Sequence, residues 1–159
     1  MDENELLVRF GLVPIEADLA EVRRLIEALI ADDRRDGNEP LKILCIQLFS
    51  AGNPADALLI YKAKSLSFDA GCYIDIQLVC GAGLEATKAF LRGSSEAKAK
   101  ELLALLQNIS SAGDFDDFTP EKQLNFYRHY TGSSHSHPSF GHFRKQRDAP
   151  HGAEPRWRP

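Results

Sequence analysis

Nine consecutive residues constrain this chain more than any other stretch. From Leu41 to Phe49 only Lys42 and Gln47 are polar, and the rest are Leu, Ile, Cys or Phe. A helix that is apolar around nearly its whole circumference must be covered on most sides, so the chain has to supply several other elements to enclose it. Pro40 precedes the run where a first-turn proline is tolerated, and Gly52 ends it. Asn53-Pro54-Ala55-Asp56 then opens a second helix, with Asn53 as N-cap, Pro54 in the first turn and Asp56 near the exposed amides. Its apolar residues, from Ala57 to Leu66, are again widely spread. With so short a linker, the pair is expected to form an antiparallel hairpin.

The flanking sequence reads as further helices. Leu6 to Ile15 mixes β-branched and apolar types around Pro14 and is expected to form a short strand or an arm. Asp18 offers an N-cap to an amphipathic helix with Leu19, Val22, Leu25, Ile26, Leu29 and Ile30 on one face and Arg23, Arg24 and Glu27 opposite. The charged stretch Asp32 to Gly37 closes it. Asp69 is expected to cap a helix running through Cys80, broken by Gly81-Ala82-Gly83. Leu84 to Leu91 forms a shorter helix. Ser95 opens a long one through Ile109, and Gly113 ends it. Phe115 and Phe118 are expected to anchor the acidic loop between them, and Thr119-Pro120 starts a last helix to about Tyr130 whose contacts come from Leu124, Phe126, Tyr127 and Tyr130.

Ile46-Gln47-Leu48, Ile76-Gln77-Leu78 and Leu106-Gln107 recur at a spacing of 30 residues, each before a small-residue and Gly turn. Helical hairpins repeated at this length are the mark of an α-solenoid. In such a repeat Gln47 and Gln77 are expected to bond a backbone carbonyl in the turn between units. The fold class is therefore all-α: short antiparallel hairpins stacked as a small α-solenoid or gathered into an irregular bundle, over residues 1–131. Residues 132–159, rich in Ser, His, Pro, Gly and Arg, are expected to be disordered.

Charge divides the chain in the same place. Residues 1–131 carry 14 Lys and Arg against 21 Asp and Glu, a net of −7, while 132–159 carry 5 against 2, a net of +3. An acidic body disfavours nucleic acid as the main partner and suits a basic protein, although solubility alone also explains it. No apolar run approaches the roughly 18 residues a membrane span needs. The acidic start has no secretory pattern, and three cysteines make no disulfide framework, so a cytoplasmic protein is expected, with Cys45, Cys72 and Cys80 acting as small hydrophobes.

Few residues suggest chemistry. Asp75 projects from an apolar sector of its expected helix. A carboxylate there needs a partner: it is either a pocket acid or partner contact, or one end of an ion pair with Lys64 or Lys88, or bonded to a neighbouring helix end. Tyr61, Lys64, Phe68, Asp69 and Tyr73 gather around one inter-helix connection, as anchors for a partner or as core rings with their polar neighbours. His129, His135, His137 and His142 lie close in sequence, but without Cys in a Ser/His-rich segment they make weak metal ligands, and no cofactor is expected. Gly81 to Lys88 lacks the spacing and the leading strand of a phosphate loop. Asp114 to Asp117 lacks the alternation of a calcium loop, and no nucleophile–base arrangement is legible.

The short hairpins with Ala, Gly and Leu at their turns resemble the tetratricopeptide and HEAT-like superhelical repeats, without the Trp and closing Pro of a tetratricopeptide unit. The segment from Phe68 to Leu91, with Ile74-Asp75-Ile76-Gln77-Leu78 and Gly81-Ala82-Gly83-Leu84-Glu85-Ala86-Thr87-Lys88, resembles sequence of uncharacterised bacterial proteins. That resemblance implies a bacterial cytoplasmic origin and brings no activity. The functional expectation is a non-catalytic protein–protein interaction module of immunity or adaptor type that binds a basic partner. The alternatives are a small enzyme or accessory subunit using Asp75 in a helical pocket, and a self-associating structural protein.

Overall fold

The structure is a computed structural model that describes residues 1–34 and 37–132. The expectation of disorder over 132–159 therefore falls almost wholly outside the described residues, as do His135, His137 and His142. Every regular element among the described residues is helical. The α-helices are α1 (Glu3–Phe10), α2 (Leu19–Ala31), α3 (Glu39–Ala51), α4 (Ala57–Lys64), α5 (Phe68–Tyr73), α6 (Leu84–Gly93), α7 (Ala97–Ser111) and α8 (Pro120–Gly132). Single 3-10 turns at Glu16–Asp18, Pro54–Asp56 and Ile76–Cys80 lead into α2, into α4 and out of α5.

The centre is α3. Leu41 and every residue from Ile43 to Phe49 are buried, because α1, α2, α4, α8 and the Ile76–Cys80 turn all pack on this one helix. Gly52 ends it in the left-handed conformation, with φ 68°. The next element starts as the sequence suggests, the Asn53 side chain accepting a hydrogen bond from the Ala55 amide at 3.0 Å. In a solenoid each unit touches only its neighbours. Here α3 also meets α8, after four intervening helices, so the molecule is an irregular bundle around α3. The three recurrences of the 30-residue spacing fall in α3, in a 3-10 turn and in α7.

Four local expectations are corrected. Leu6 to Ile15 holds the second half of a helix rather than a strand. Asp2 and Glu5 form a reciprocal capping box, the Glu5 amide donating to Asp2 at 2.9 Å and the Asp2 amide to Glu5 at 2.8 Å. Leu6 and Phe10, one turn apart, then both reach the core. Gln47 acts on this helix and not on a turn between repeats: its amide donates to the carbonyls of Leu6 and Gly11, at 3.3 and 2.7 Å, and fastens the end of α1 to α3. Arg23 is not on a purely solvated face, since it donates two hydrogen bonds to the nearly buried Asp56, at 2.6 and 2.9 Å, and ties α2 to the start of α4. Finally, α5 is capped by Ser67, not Asp69, and stops at Tyr73.

That early stop has two physical causes. Lys64 at the end of α4 donates to the carbonyls of Gly71 and Ile74, the second at 2.8 Å, and so satisfies the end of α5 in place of a further helical turn. The chain then tightens into the Ile76–Cys80 turn so that Gly81 can sit against the backbone of Phe49. A Cβ on Gly81 would lie 2.4 Å from the Phe49 carbonyl oxygen. Only a residue without a side chain allows the strand of chain after α5 to approach α3 this closely. Beyond it, α6 and α7 pair with each other, and Phe115 and Phe118 anchor the following loop edge to face at 5.1 Å.

Candidate functional site

The break after Tyr73 decides where Asp75 points. Off any continuous helix, its carboxylate turns toward α3 and α8. There it accepts a hydrogen bond from the Tyr127 hydroxyl and forms an ion pair with Lys42, Nζ lying 3.4 Å from Oδ2. Neither expected cation is the partner. Lys64 is committed to the end of α5, near enough for the Asp75 charge to offset part of what burial takes from its pKa. Lys88 pairs with Glu85 at 3.3 Å and bonds Ser110 at 3.1 Å, between α6 and α7.

Lys42 reaches the site because it is the one cation on the buried stretch of α3, on the side that α8 covers. Its ammonium lies 4.9, 5.6 and 5.8 Å from the ring centres of Tyr73, Tyr130 and Tyr127. Each aromatic face attracts a cation, and the attraction grows as water is removed; the Lys42 side chain is only 14% exposed. Tyr127 is fully buried, and burial, then the Asp75 charge, hold its hydroxyl protonated well above the usual tyrosine range. Tyr73 is pushed up the same way, first by burial and then by the Tyr130 hydroxyl within hydrogen-bonding reach. At neutral pH these tyrosines are donors, not bases.

Beside this cluster opens a cleft of about 330 Å³ lined by Lys42, Asp75, Gln77, Gln123, Phe126 and Tyr130. Its walls carry one carboxylate, one internally paired cation, two amides and two rings. Phe126 is 58% exposed, although it stacks edge to face on the buried Tyr127 at 5.3 Å.

Of the residues the sequence singles out, Asp75 and Gln77 line this cleft, and the Tyr73 ring stands next to it, 4.9 Å from Lys42 Nζ. Tyr61 lies elsewhere: it is buried, and its hydroxyl donates to Glu101 at 2.7 Å, joining α4 to α7. Phe68 and Asp69 are exposed at the start of α5, Phe68 at 86%. Lys42 and Gln123 are site residues not singled out from the sequence, and Phe126, expected as a packing contact of the last helix, stands 58% exposed on the cleft instead. A legible signal existed for Lys42 alone, as the single cation in an apolar run that must be enclosed.

The thiols do not contribute. Cys45 and Cys80 are buried away from the cleft lining and pushed up to about 12 by that burial, so neither supplies a thiolate at neutral pH. Among the described residues no three of His, Cys, Asp and Glu are gathered as metal ligands would be, and His129 bonds the Asn125 carbonyl along α8. No described helix is long and apolar enough to cross a membrane. No family model matches the chain, and neither does any curated protein or solved structure.

Proposed function

We propose that the chain is a non-catalytic protein-binding module, of immunity or adaptor type, whose acidic folded part engages a basic protein partner at the cleft between α3 and α8. The observation that carries this reading is Phe126, a large ring held at solvent on the rim of a cleft whose wall bears Asp75. An exposed aromatic on the rim of a polar cleft is a feature from which interface anchors are drawn. The net charge of −7 over residues 1–131 adds long-range attraction for a basic surface. The enzyme alternative is favoured by one fact, the presence of Asp75 and Lys42 together in a concave site. Against it, Lys42 is already engaged by Asp75 and the tyrosine rings, and Tyr73 and Tyr127 are held protonated.

The test compares the full chain with its Phe126→Ser and Phe68→Ser variants as immobilised bait in lysate of the source cells. Stoichiometric capture of one basic protein is expected with the unchanged chain and with Phe68→Ser, and capture should fall roughly tenfold with Phe126→Ser, as an anchor worth at least 1.4 kcal/mol requires. Equal capture by all three baits, or none by the unchanged chain, would refute the reading.

A further inference from the structure

Both internal partners of Asp75 use the same oxygen. The Tyr127 hydroxyl donates to Oδ2, and Lys42 Nζ pairs with Oδ2. Oδ1 takes no hydrogen bond among the described residues, and the carboxylate, 38% exposed, forms part of the cleft wall. An ionised carboxylate accepts at both oxygens, so the described residues leave the capacity of Oδ1 unused. Beside it stand the amides of Gln77 and Gln123, whose oxygens accept, and the rings of Phe126 and Tyr130.

The charges near this opening favour a cation. Of the two charged groups in the lining, the Asp75 side chain is 38% exposed, whereas that of Lys42 is 14% exposed and is turned to Asp75 Oδ2 and the tyrosine rings. Both lysines are already engaged, Lys42 with Oδ2 and the tyrosine faces, Lys64 with the Gly71 and Ile74 carbonyls. An anionic ligand would meet Asp75 directly. A lysine would bring a compact, strongly hydrated charge that uses the ring faces poorly. A guanidinium is planar, weakly hydrated and able both to fork its donors and to stack on rings.

We infer that the cleft is a recognition pocket for one arginine side chain of the basic partner. The guanidinium donates to Asp75 Oδ1 and to the amide oxygens of Gln77 and Gln123, and its flat face lies against Phe126 and Tyr130. The identity of the occupant as part of a protein rests on the binding-module reading; the preference for guanidinium rests on the cleft alone.

The test is an NMR titration of the full ¹⁵N-labelled chain with N-acetyl-arginine amide, against N-acetyl-citrulline amide, which has nearly the same shape without the charge. Saturable shifts are expected at the side-chain amides of Gln77 and Gln123 and along the cleft side of α8, with citrulline about tenfold weaker or more, as loss of a charge-assisted hydrogen bond implies. Asp75→Asn should abolish this preference, and Phe126→Ala, a surface change that leaves the fold intact, should weaken arginine binding by a similar factor. Equal binding of the two probes, or shifts that map elsewhere, would overturn the inference. So would tenfold stronger binding after Arg144, Arg147, Arg156 and Arg158 are all changed to Gln, because the chain's own arginines would then be the occupant. Guanidinium binding without partner capture would retire the module reading and leave the pocket standing; capture without it would do the reverse.

Discussion

At the scale of single residues, Asp75 is bound more by its hydrogen bond than by its charge. At 38% exposure the ion pair with Lys42 is screened by water and contributes little. The hydroxyl of fully buried Tyr127, in contrast, loses its acceptor when the carboxylate is removed. Asp75→Ala should therefore lower stability by about 1–3 kcal/mol in urea unfolding, the range for stranding a buried donor, whereas Asp75→Asn should lower it by less. The thiols give a second expectation. Burial raises the Cys45 and Cys80 pKa from 9.0 to about 12. The folded chain thus keeps protons that the unfolded chain has lost, so this contribution is complete below pH 9 and disappears as the pH rises toward 12. Unfolding followed across that window should show falling stability, less steeply in Cys45→Ala, and at neutral pH a thiol reagent should label exposed Cys72 fast and the other two only through unfolding. The sequence marks Asp75 as a carboxylate in need of a partner but not which partner, because the wheel that located it assumes a helix that the chain leaves at Ile74.

At the scale of elements, legibility followed the strength of local signals. The Asn53 cap of the turn into α4, the end of α3 at Gly52 and the anchoring of the Phe115–Phe118 loop are all encoded within a few residues and form as expected, whereas Asp56, expected at the exposed amides, is drawn to Arg23. The capping box of α1 was equally local: Asp2 and Glu5 stand at the required spacing. The β-branched residues and Pro14 between Leu6 and Ile15 point instead to a strand or an arm, although Pro14 lies beyond the helix. The early end of α5 had no local signal, since it depends on Lys64 from the preceding helix and on the approach of Gly81 to Phe49. Gly81 has an ordinary φ of −58°, so Gly81→Ala tests crowding alone, without backbone strain. It should cost about 1–3 kcal/mol or more by forcing the turn away from α3. Gly83→Ala places its Cβ in open space but at φ 95°, and should lose stability by backbone strain instead, without displacing α3. Thermal unfolding of the two variants, with amide protection of Phe49 as the local probe, separates these mechanisms.

For the molecule as a whole, the all-round apolar character of α3 predicted enclosure, and the structure supplies it from both ends of the chain, with α1 and α2 on the one hand and α8 on the other. What sequence periodicity could not show is which distant element closes the last side, because a recurring 30-residue spacing is equally compatible with stacking in line and with folding back. A chain ending at Gly113 should keep α1–α7 as helices by circular dichroism yet unfold over a broadened urea range with a reduced m-value, since Tyr127 and the cover it gives α3 are gone. The dependence of α3 on α8 also has a temporal side. On the ribosome the central helix emerges while its final cover is still unmade, and α4 to α7 must all be translated before α8 appears. Until then Lys42 has Asp75 but neither Tyr127 nor Tyr130, and the most apolar helix of the chain stays open along one flank. Synthesis rate across the α4–α7 region, at the roughly 5–20 residues per second of translation, thus sets how long a nascent chain presents that flank to chaperones or to other unfinished copies of itself.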